Sequence, residues 1–336
     1  MAAHAFDVVL VSDFSGPVAN RFETMTLFFL ASWMEFGGRS RDLPLHIACI
    51  GEAPESVRSL GARCKANITS HSPLHAGGFA NKLRGFEVNR QTDHVLLLDS
   101  DMLVLSEING LHAILGEDCI AAAAANGPCI VPPVMWRRIH EMLGLTYPEN
   151  QVTPLNLELD TFQCAPYRER QDCPPFYNGG IVYAPWRSEL GEVWHDHFVQ
   201  ITAVAERKAK ISNQPPLATA IEYLQTRGFR FQLLPDEYHV RWQHISAGSV
   251  SSNNTRLLHT IGFGRWSAKK KENTAREDMD IYLKNTLRLT RELRSHRDPA
   301  TQAEHRATSR PQIRDCYRVH ELMKILYDKY VRELKE

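Results

Sequence analysis

Stretches rich in apolar residues recur along this chain and are separated by turn-forming and helical sequence. The predicted strands are Phe6–Val11, Leu45–Ile50, His94–Leu98, Cys119–Ala125 and Gly180–Tyr183. Between the first two of them, the residues from Phe22 to Trp33 are mainly apolar over more than two turns, which is typical of a packed helix. Continuous apolar strands that alternate with helices predict an α/β fold, with a mainly parallel sheet and helices on both of its faces.

The pattern changes after Trp266, where three lysines at positions 269–271 begin a more charged sequence. Two helical patterns follow, separated by the polar stretch 296–310. In the second pattern, the apolar residues share one face of a helix: Val319, Leu322, Met323, Leu326, Tyr330 and Leu334. Because the opposite face carries charges of both signs, packing on the preceding domain is favoured over a dimer contact or a membrane-surface helix. We therefore predict an α/β domain over residues 1–266 and a C-terminal helical extension over residues 267–336, which is also a candidate homodimer contact.

Length and charge narrow the possible functions. The chain has 336 residues, 43% of them hydrophobic, which is enough for a full core in one large domain. Its 39 basic and 39 acidic residues balance, so the net charge predicts neither a nucleic-acid partner nor binding to an anionic membrane. The seven cysteines include no Cys-x-x-Cys pair and are interpreted as reduced thiols. Since no signal peptide or membrane-spanning stretch is recognisable, we expect a soluble, cytoplasmic protein.

Two carboxylates, Asp99 and Asp101, follow directly after the strand that ends at Leu98, with Ser100 between them. In open α/β sheets, ligands gather at the carboxyl ends of the strands. Two neighbouring carboxylates repel each other unless a hard cation bridges them, and Mg²⁺ or Mn²⁺ bound in this way keeps positions open for phosphate oxygens. The sequence therefore favours a divalent-cation site for a diphosphate substrate, and the alternative is a solvated turn.

Two further segments carry polar groups next to apolar runs. Asn178 precedes Gly179 and Gly180 just before a strand, where glycines permit close approach of a ligand and the amide can bond a sugar hydroxyl. A simple turn is the alternative interpretation there. His259 ends another apolar run and is followed by Arg265. His259 is either a third metal ligand or a structural histidine, and Arg265 is a candidate partner for the β-phosphate of a leaving group.

Together these motifs resemble those of the sugar-nucleotide glycosyltransferases with the GT-A fold, most closely the retaining glycosyltransferase family 8, which includes bacterial lipopolysaccharide galactosyltransferases and glycogenin. In that family an Asp-x-Asp pair and a distant histidine ligate Mn²⁺, which implies Asp99, Asp101 and His259 as metal ligands. The family histidine opens the pattern His-x-x-Gly-x-x-Lys-Pro-Trp. This chain matches it from His259 through Gly262, has Arg265 in place of the lysine, and lacks the proline. The resemblance extends over residues 6–266 and implies a GT-A catalytic domain.

The same resemblance implies residues that bind the nucleotide-sugar donor. Lys82 looks like the basic family residue that contacts the nucleotide, and Asp13 looks like the acidic residue near the base and the ribose. Ser100, Gly262 and Arg265 belong to the segments that face the donor. These five residues are therefore the expected donor-binding set.

The expected catalytic residues also come from the resemblance. Asn178 opens the segment that resembles the family's Asn-Ala/Ser-Gly, and Asn213 with Gln214 stands where the family has Asp-Gln. The family Asp binds hydroxyls of the donor sugar, and the Gln lies close to the reacting face of the anomeric carbon. Because Asn213 departs from the family Asp, the identity of the sugar does not carry over.

We therefore expect a metal-dependent glycosyltransferase that moves a sugar from a UDP-sugar, with retention, to a hydroxyl of a glycan, a lipid-linked acceptor or a small molecule. Mn²⁺ or Mg²⁺ is the expected cofactor. Two alternatives stay open: an inverting transferase that uses Asp160, Asp172 or Asp236 as its base, and a protein that binds sugar nucleotides or glycans without turnover. A sugar-nucleotide pyrophosphorylase is disfavoured, because residues 12–17 contain one glycine and no basic residue.

Overall fold

The computed structural model describes residues 5–74, 80–124, 133–148, 177–204, 214–241, 244–245, 250–260, 315, 318–319 and 321–335. In these ranges the strands are β1 (Asp7–Asp13), β2 (Leu45–Ile50), β3 (Asn67–His71), β4 (His94–Asp99), β5 (Met102–Val104), β6 (Cys119–Ala124), β7 (Tyr177–Pro185), β8 (Arg230–Leu233), β9 (Val240–Arg241) and β10 (Leu257–His259). The α-helices are α1 (Ala19–Phe36), α2 (Glu55–Arg63), α3 (Leu111–Leu115), α4 (Pro133–Met142), α5 (Leu190–Val204) and α6 (Gln214–Thr226). A C-terminal helix covers 321–335, with a π-helical turn at Tyr327–Val331 and an α-helical end at Arg332–Lys335.

Seven strands form the main sheet, in the order β3-β2-β1-β4-β7-β6-β8. β7 is antiparallel to both of its neighbours, and the other pairings in this sheet are parallel. The predicted α/β fold with a mainly parallel sheet is therefore confirmed. The carboxyl ends of β1 and β4 lie side by side, since Val11 pairs with Asp99, and the amino end of the antiparallel β7 reaches the same edge.

Apolar side chains cover both faces of this sheet. Along β1, Val8 and Leu10 pack into one core with α1 and α2, whereas Val9 and Val11 pack into a second core with α4, α5 and α6. Successive residues of a strand point to opposite faces, so a strand buried on both sides must be apolar throughout. The prediction of helices on both faces is thus confirmed.

The β3 strand was not predicted from the sequence. It reads Asn-Ile-Thr-Ser-His, lies at the edge of the sheet, and its side chains are mostly half-buried. An edge strand has one neighbour and more contact with solvent, so its sequence lacks the continuous apolar run that marks the central strands.

A bulge interrupts β7 next to the predicted Asn-Gly-Gly segment. Ala122 of β6 pairs with Val182, but the next residue, Ala123, pairs with Asn178. The residues 179–181 are therefore extra on the β7 side of this pairing. A bulge of this kind leaves backbone groups unpaired in the ladder, and these become available to neighbouring side chains.

A second, three-stranded sheet has the order β5-β10-β9. β10 is antiparallel to β5 and parallel to β9. Because β5 follows β4 after only two residues, Ser100 and Asp101 lie in the short connection between the two sheets. The small sheet therefore brings the region around residue 259 to the carboxyl end of β4.

The apolar face of the C-terminal helix packs on the α/β domain. Met323, Leu326, Tyr330 and Val331 are buried in the same core as α1. This confirms the favoured interpretation of the apolar pattern in the tail. It also explains why α1 is buried over ten consecutive residues, 24–33, because this helix lies against both the sheet and the C-terminal helix.

Three cysteines lie in the described part of the chain, and all three are buried free thiols: Cys49, Cys64 and Cys119. Burial raises the pKa of Cys49, with a smaller contribution from the nearby charge of Glu52, to about 12. The interpretation of the cysteines as reduced thiols is thus confirmed for these three. None of the described helices is long and apolar enough to cross a membrane.

Candidate active site

Two strand ends bring Asp99, Asp101 and His259 together. Asp99 ends β4, and His259 ends β10, where it pairs across the ladder with Met102 of β5. This register places the imidazole beside Asp101, and the backbone N–H of Thr260 donates to the Asp101 carbonyl at 2.9 Å. One ligand atom from each of the three residues lies within 4.8 Å of the others. The structure therefore gathers the three residues that the sequence assigns as metal ligands, and their binding of an ion stays a prediction.

The carboxylate of Asp101 has an oxygen that lacks a hydrogen bond. Its Oδ1 is buried and lies 3.1 Å from Nε2 of His259, without the alignment that a hydrogen bond requires. A buried carboxylate oxygen without a donor is costly. A cation held by Asp99, Asp101 and His259 would satisfy this oxygen, and two carboxylates with one imidazole are a donor set suited to Mn²⁺. The residues present thus fit a divalent cation.

The pKa of Asp101 lies below its ordinary value. Burial acts in the opposite direction, because it disfavours the charged form, but the interactions with His259, Lys82 and Arg21 outweigh it. The carboxylate is therefore an anion at neutral pH, as a metal ligand must be.

Lys82 reaches the same cluster from the 3-10 segment Asn81–Glu87. Its ammonium lies 2.5 Å from Oδ1 of Asp99 and donates to the Gly179 carbonyl at 2.7 Å. That carbonyl belongs to the β7 bulge, so the bulge supplies an acceptor that orients the lysine. The side chain is 12% exposed, and its charge is therefore held at the mouth of the cluster rather than in open solvent.

Gly180 lets the β7 backbone approach the carboxylates and the imidazole closely. A Cβ added at this position would lie 2.7 Å from Oδ2 of Asp99, 2.8 Å from Oδ1 of Asn178 and 3.0 Å from Cε1 of His259. The Asn178 side chain is itself fixed, because its Oδ1 accepts the Gly180 N–H at 2.7 Å. The Asn-Gly-Gly segment thus forms one wall of the candidate site and is not a simple exposed turn.

Asp13 lies on the same edge of the sheet, at the end of β1. Its Oδ2 accepts from the Asn81 amide at 2.8 Å, and its Oδ1 accepts from the backbone N–H and the hydroxyl of Ser15 at 3.0 and 2.6 Å. Asn81 also accepts the backbone N–H of Leu74 at 2.8 Å. Asn81 therefore links Asp13 to the segment that carries Lys82.

Some of the remaining predicted site residues lie in the described part of the chain, and others lie outside it. Ser100 is buried between the two aspartates, and Gln214 begins α6, a helix that packs against β7. Asn213, Gly262 and Arg265 lie outside the described residues, so their expected roles stay predictions. Of the three alternative bases, Asp236 is an exposed residue in the 3-10 segment Asp236–Tyr238, and the other two lie outside the described residues.

Two residues of this region were missed from the sequence, Asn81 and His239. His239 is buried, and its Nε2 lies 2.9 Å from Nδ1 of His259. Burial lowers its pKa well below the ordinary value, and the neighbouring His259, Arg241 and His244 lower it further, so the ring is neutral at neutral pH. A histidine just before a two-residue strand carries no local signal of this contact.

A second group of candidate ligands lies at the amino ends of the strands. His94, His112 and Glu117 each place a ligand atom within 4.8 Å of the others. However, His94 Nε2 donates to the Glu117 carbonyl at 2.9 Å, and Nδ1 of His112 lies 2.6 Å from the Tyr183 hydroxyl. Because both rings already have hydrogen-bond partners, this group is explained as a structural network.

A comparison with known proteins found a family model that matches this chain. The family model of the Rhodobacterales glycosyltransferase domain matches residues 19–221, which is more than half of the chain. The matched region includes Lys82, both aspartates of the cluster and Asn178. No curated protein matches the chain.

Several solved structures are similar over most of this chain. A galactosyltransferase, LgtC, solved with donor and acceptor sugar analogues, is 13% identical, with 82% of this chain and 95% of that chain covered and a TM-score of 0.45. Mouse xyloside xylosyltransferase 1 in its apo form is 12% identical, with 76% and 98% covered and a TM-score of 0.45. The glycosyltransferase GlyE of Streptococcus pneumoniae TIGR4 is 13% identical, with 76% and 54% covered and a TM-score of 0.43.

Proposed function

Because this chain belongs to the family of the Rhodobacterales glycosyltransferase domain, we propose that it is a cation-dependent enzyme that transfers a sugar from a nucleotide-diphosphate sugar to an acceptor hydroxyl. That it is a glycosyltransferase follows from the family itself. The cation, the diphosphate donor and the stereochemistry are the proposed part. UDP is the proposed nucleotide, and retention of the anomeric configuration is the proposed outcome.

One observation carries the proposal of a cation. The buried Oδ1 of Asp101 lacks a hydrogen bond and faces the imidazole nitrogen of His259 at 3.1 Å, with Asp99 beside them. Strand packing alone gives no reason to bury a carboxylate oxygen beside an imidazole nitrogen without a donor, whereas a cation does. A bound Mn²⁺ would stabilise the negative charge that develops on the diphosphate as the glycosidic bond breaks.

Lys82 is suited to hold the donor phosphates. Its ammonium lies at the mouth of the cluster, is anchored on the Gly179 carbonyl, and contacts Asp99 at 2.5 Å. If Asp99 held a cation, the ammonium of Lys82 would be available to a phosphate oxygen. The side chain thus offers a second positive charge against the leaving group.

The β7 bulge supports the sugar-binding part of the proposal. The Oδ1 of Asn178 accepts the Gly180 N–H at 2.7 Å, and within the described part of the chain its amide Nδ2 makes no hydrogen bond. The side chain stands at the wall next to Asp99. The absence of a side chain at Gly180 lets this wall lie directly against the carboxylate of Asp99. We propose that the donor sugar lies along this wall and contacts Gln214, the first residue of α6. Asn213 lies outside the described residues, and its contact with the sugar stays a prediction.

The experiment is a donor screen in the presence of Mn²⁺. Release of nucleotide diphosphate is measured for UDP-, GDP- and TDP-sugars, with and without a chelator, and then repeated on Asp101→Asn. We expect release from a UDP-sugar that the chelator abolishes, and a loss of at least about 100-fold in Asp101→Asn, because one ligand of the cation is removed.

A matched control is Asp93→Asn, which makes the same change at an exposed position just before the other end of β4. This variant should keep full activity. Full activity of the wild type in chelator, or wild-type turnover in Asp101→Asn, would refute the cation-dependent mechanism. The anomeric configuration of the product, read by NMR, decides between the retaining and the inverting alternatives.

A further inference from the structure

Two buried histidines contact each other behind the candidate cation site. Nε2 of His239 lies 2.9 Å from Nδ1 of His259, and the two residues are 1% and 4% exposed. The ring centroids are 5.0 Å apart at an interplanar angle of 57°. At this distance one nitrogen donates a hydrogen and the other accepts it.

The direction of this hydrogen bond decides which nitrogen of His259 is available to a cation. A neutral imidazole carries its hydrogen on one nitrogen only, and a metal binds the other. The nitrogen of His259 that faces Asp101 is Nε2. For Nε2 to bind a cation, Nδ1 must carry the hydrogen and donate it to His239.

His239 is well placed to be that acceptor. Its backbone N–H donates to the Asp236 carbonyl at 3.2 Å, and the next residue, Val240, pairs with Leu258 in the ladder between β9 and β10. The two histidines are therefore carried by neighbouring strands with a fixed register. Nε2 of His239 is the ring nitrogen that faces Nδ1 of His259 at 2.9 Å, so it is placed to accept the hydrogen.

We propose that His239 is a positioning residue for the cation site: it accepts the Nδ1–H of His259 and so keeps the Nε2 lone pair of that ring directed toward the cation. This inference rests on the proposed cation-dependent function. Metal-ligating histidines usually donate their second N–H to a carboxylate or a carbonyl, and loss of such a partner weakens metal binding by about 10–100-fold. In this chain a second imidazole takes that place.

The test compares two substitutions by Mn²⁺ binding and not by turnover. His239→Met replaces the acceptor by an apolar side chain of similar length. His239→Gln places an acceptor oxygen close to the position of Nε2. Mn²⁺ affinity is measured by electron paramagnetic resonance, with and without UDP, and folding is checked by circular dichroism. We expect His239→Met to bind Mn²⁺ about 10–100-fold more weakly than the wild type and His239→Gln to retain most of the affinity.

The matched control is His197→Met, which removes another buried histidine from the opposite face of the sheet, where its Nδ1 lies 2.9 Å from the Thr219 hydroxyl. That variant should bind Mn²⁺ like the wild type. If folded His239→Met keeps wild-type affinity, or if His239→Gln loses as much affinity as His239→Met, the positioning role is refuted while the proposed function stands. If the wild type itself binds no Mn²⁺ with or without UDP, the cation-dependent function is refuted as well.

A measurement on the wild type does not depend on how the variants fold. Protein with isotope-labelled histidine is loaded with Cd²⁺, a diamagnetic ion close to Mn²⁺ in size, and the ring nitrogens of His259 are observed by NMR. The inference requires a hydrogen on Nδ1 and the ion on Nε2. The opposite assignment would overturn it.

Discussion

A methyl group at position 180 would enter the candidate site directly. In Gly180→Ala the new Cβ would lie 2.7 Å from Oδ2 of Asp99, 2.8 Å from Oδ1 of Asn178 and 3.0 Å from Cε1 of His259. Ordinary contacts of a Cβ begin near 3.4 Å. The Asp99 oxygen must therefore move from 2.7 Å to at least 3.4 Å, a shift of about 0.7 Å, and the imidazole must move by a smaller amount.

The expected result is a loss of function with little loss of stability. A misplacement of about 1 Å in a catalytic site can reduce the rate by about 100-fold. We therefore expect turnover and Mn²⁺ affinity to fall by about 10–100-fold in Gly180→Ala. The backbone at this position is not in the left-handed region, and the atoms that must move are side-chain ends. Since Gly→Ala also restricts the unfolded chain, the free energy of unfolding should change by no more than about 1 kcal/mol.

The assay measures three quantities on the same preparations: Mn²⁺ affinity by electron paramagnetic resonance, release of nucleotide diphosphate from the donor, and the free energy of unfolding in urea. The matched control is Gly110→Ala, because a Cβ at that glycine has no atom within 4 Å and its φ is −76°. The control should keep wild-type values of all three.

Wild-type turnover and Mn²⁺ affinity in a folded Gly180→Ala protein would refute the reasoning, since the close approach of β7 would then be irrelevant to the site. A large drop in the free energy of unfolding would refute it in a different way. It would show that Gly180 serves the packing of the sheet and not the shape of the site.

Three further predictions concern other parts of the molecule. Lys82→Met should weaken binding of the nucleotide-sugar donor by about 10–100-fold. Its affinity for Mn²⁺ in the absence of donor should equal or exceed that of the wild type, because the ammonium, 2.5 Å from Asp99, competes with the cation for this carboxylate. Calorimetry with each ligand measures both affinities. Burial lowers the pKa of His197 to about 4 from an ordinary 6.5, and Asp196 opposes this shift only in part. The free energy of unfolding should therefore be highest above pH 6.5 and should fall between pH 6.5 and 4, because the unfolded chain gains a proton there. In urea titrations the free energy of unfolding of His197→Gln should fall less over that interval. Tyr330→Phe should lower the free energy of unfolding by about 1 kcal/mol, because the hydroxyl donates to Glu35 at 2.6 Å, without changing turnover.

Each of these predictions has a contrary outcome. Unchanged donor affinity in Lys82→Met would exclude a phosphate contact by that lysine, and reduced affinity for Mn²⁺ alone would exclude competition for the carboxylate. A His197 ring that titrates near 6.5 by NMR would remove the basis of the predicted pH dependence. Lower turnover in folded Tyr330→Phe would show that the docking of the C-terminal helix affects the site and not only the stability.

Much of the fold could be predicted from the sequence, because a buried strand or helix face is apolar in its local sequence. The strands β1, β2, β4 and β6 lie at or within one to two residues of their predicted positions, since strands covered on both faces must be apolar at every residue. The apolar face of the C-terminal helix follows from its spacing in the same way. The two aspartates could be placed as a pair at a strand end, because they follow the apolar run of β4 directly.

The arrangement of the candidate site was decided by pairings between distant segments. The position of β7 between β4 and β6, and the bulge that turns the Gly179 carbonyl to Lys82, depend on which strands become neighbours. From the sequence His259 was either a third ligand or a structural histidine, and a family pattern favoured the ligand. The pairing of β10 with β5 is what sets it beside Asp101. His239 had no signal at all. Local periodicity reports how deeply a residue is buried, whereas the identity of its neighbour depends on strand pairings across well over a hundred residues, and only the tertiary structure fixes those pairings.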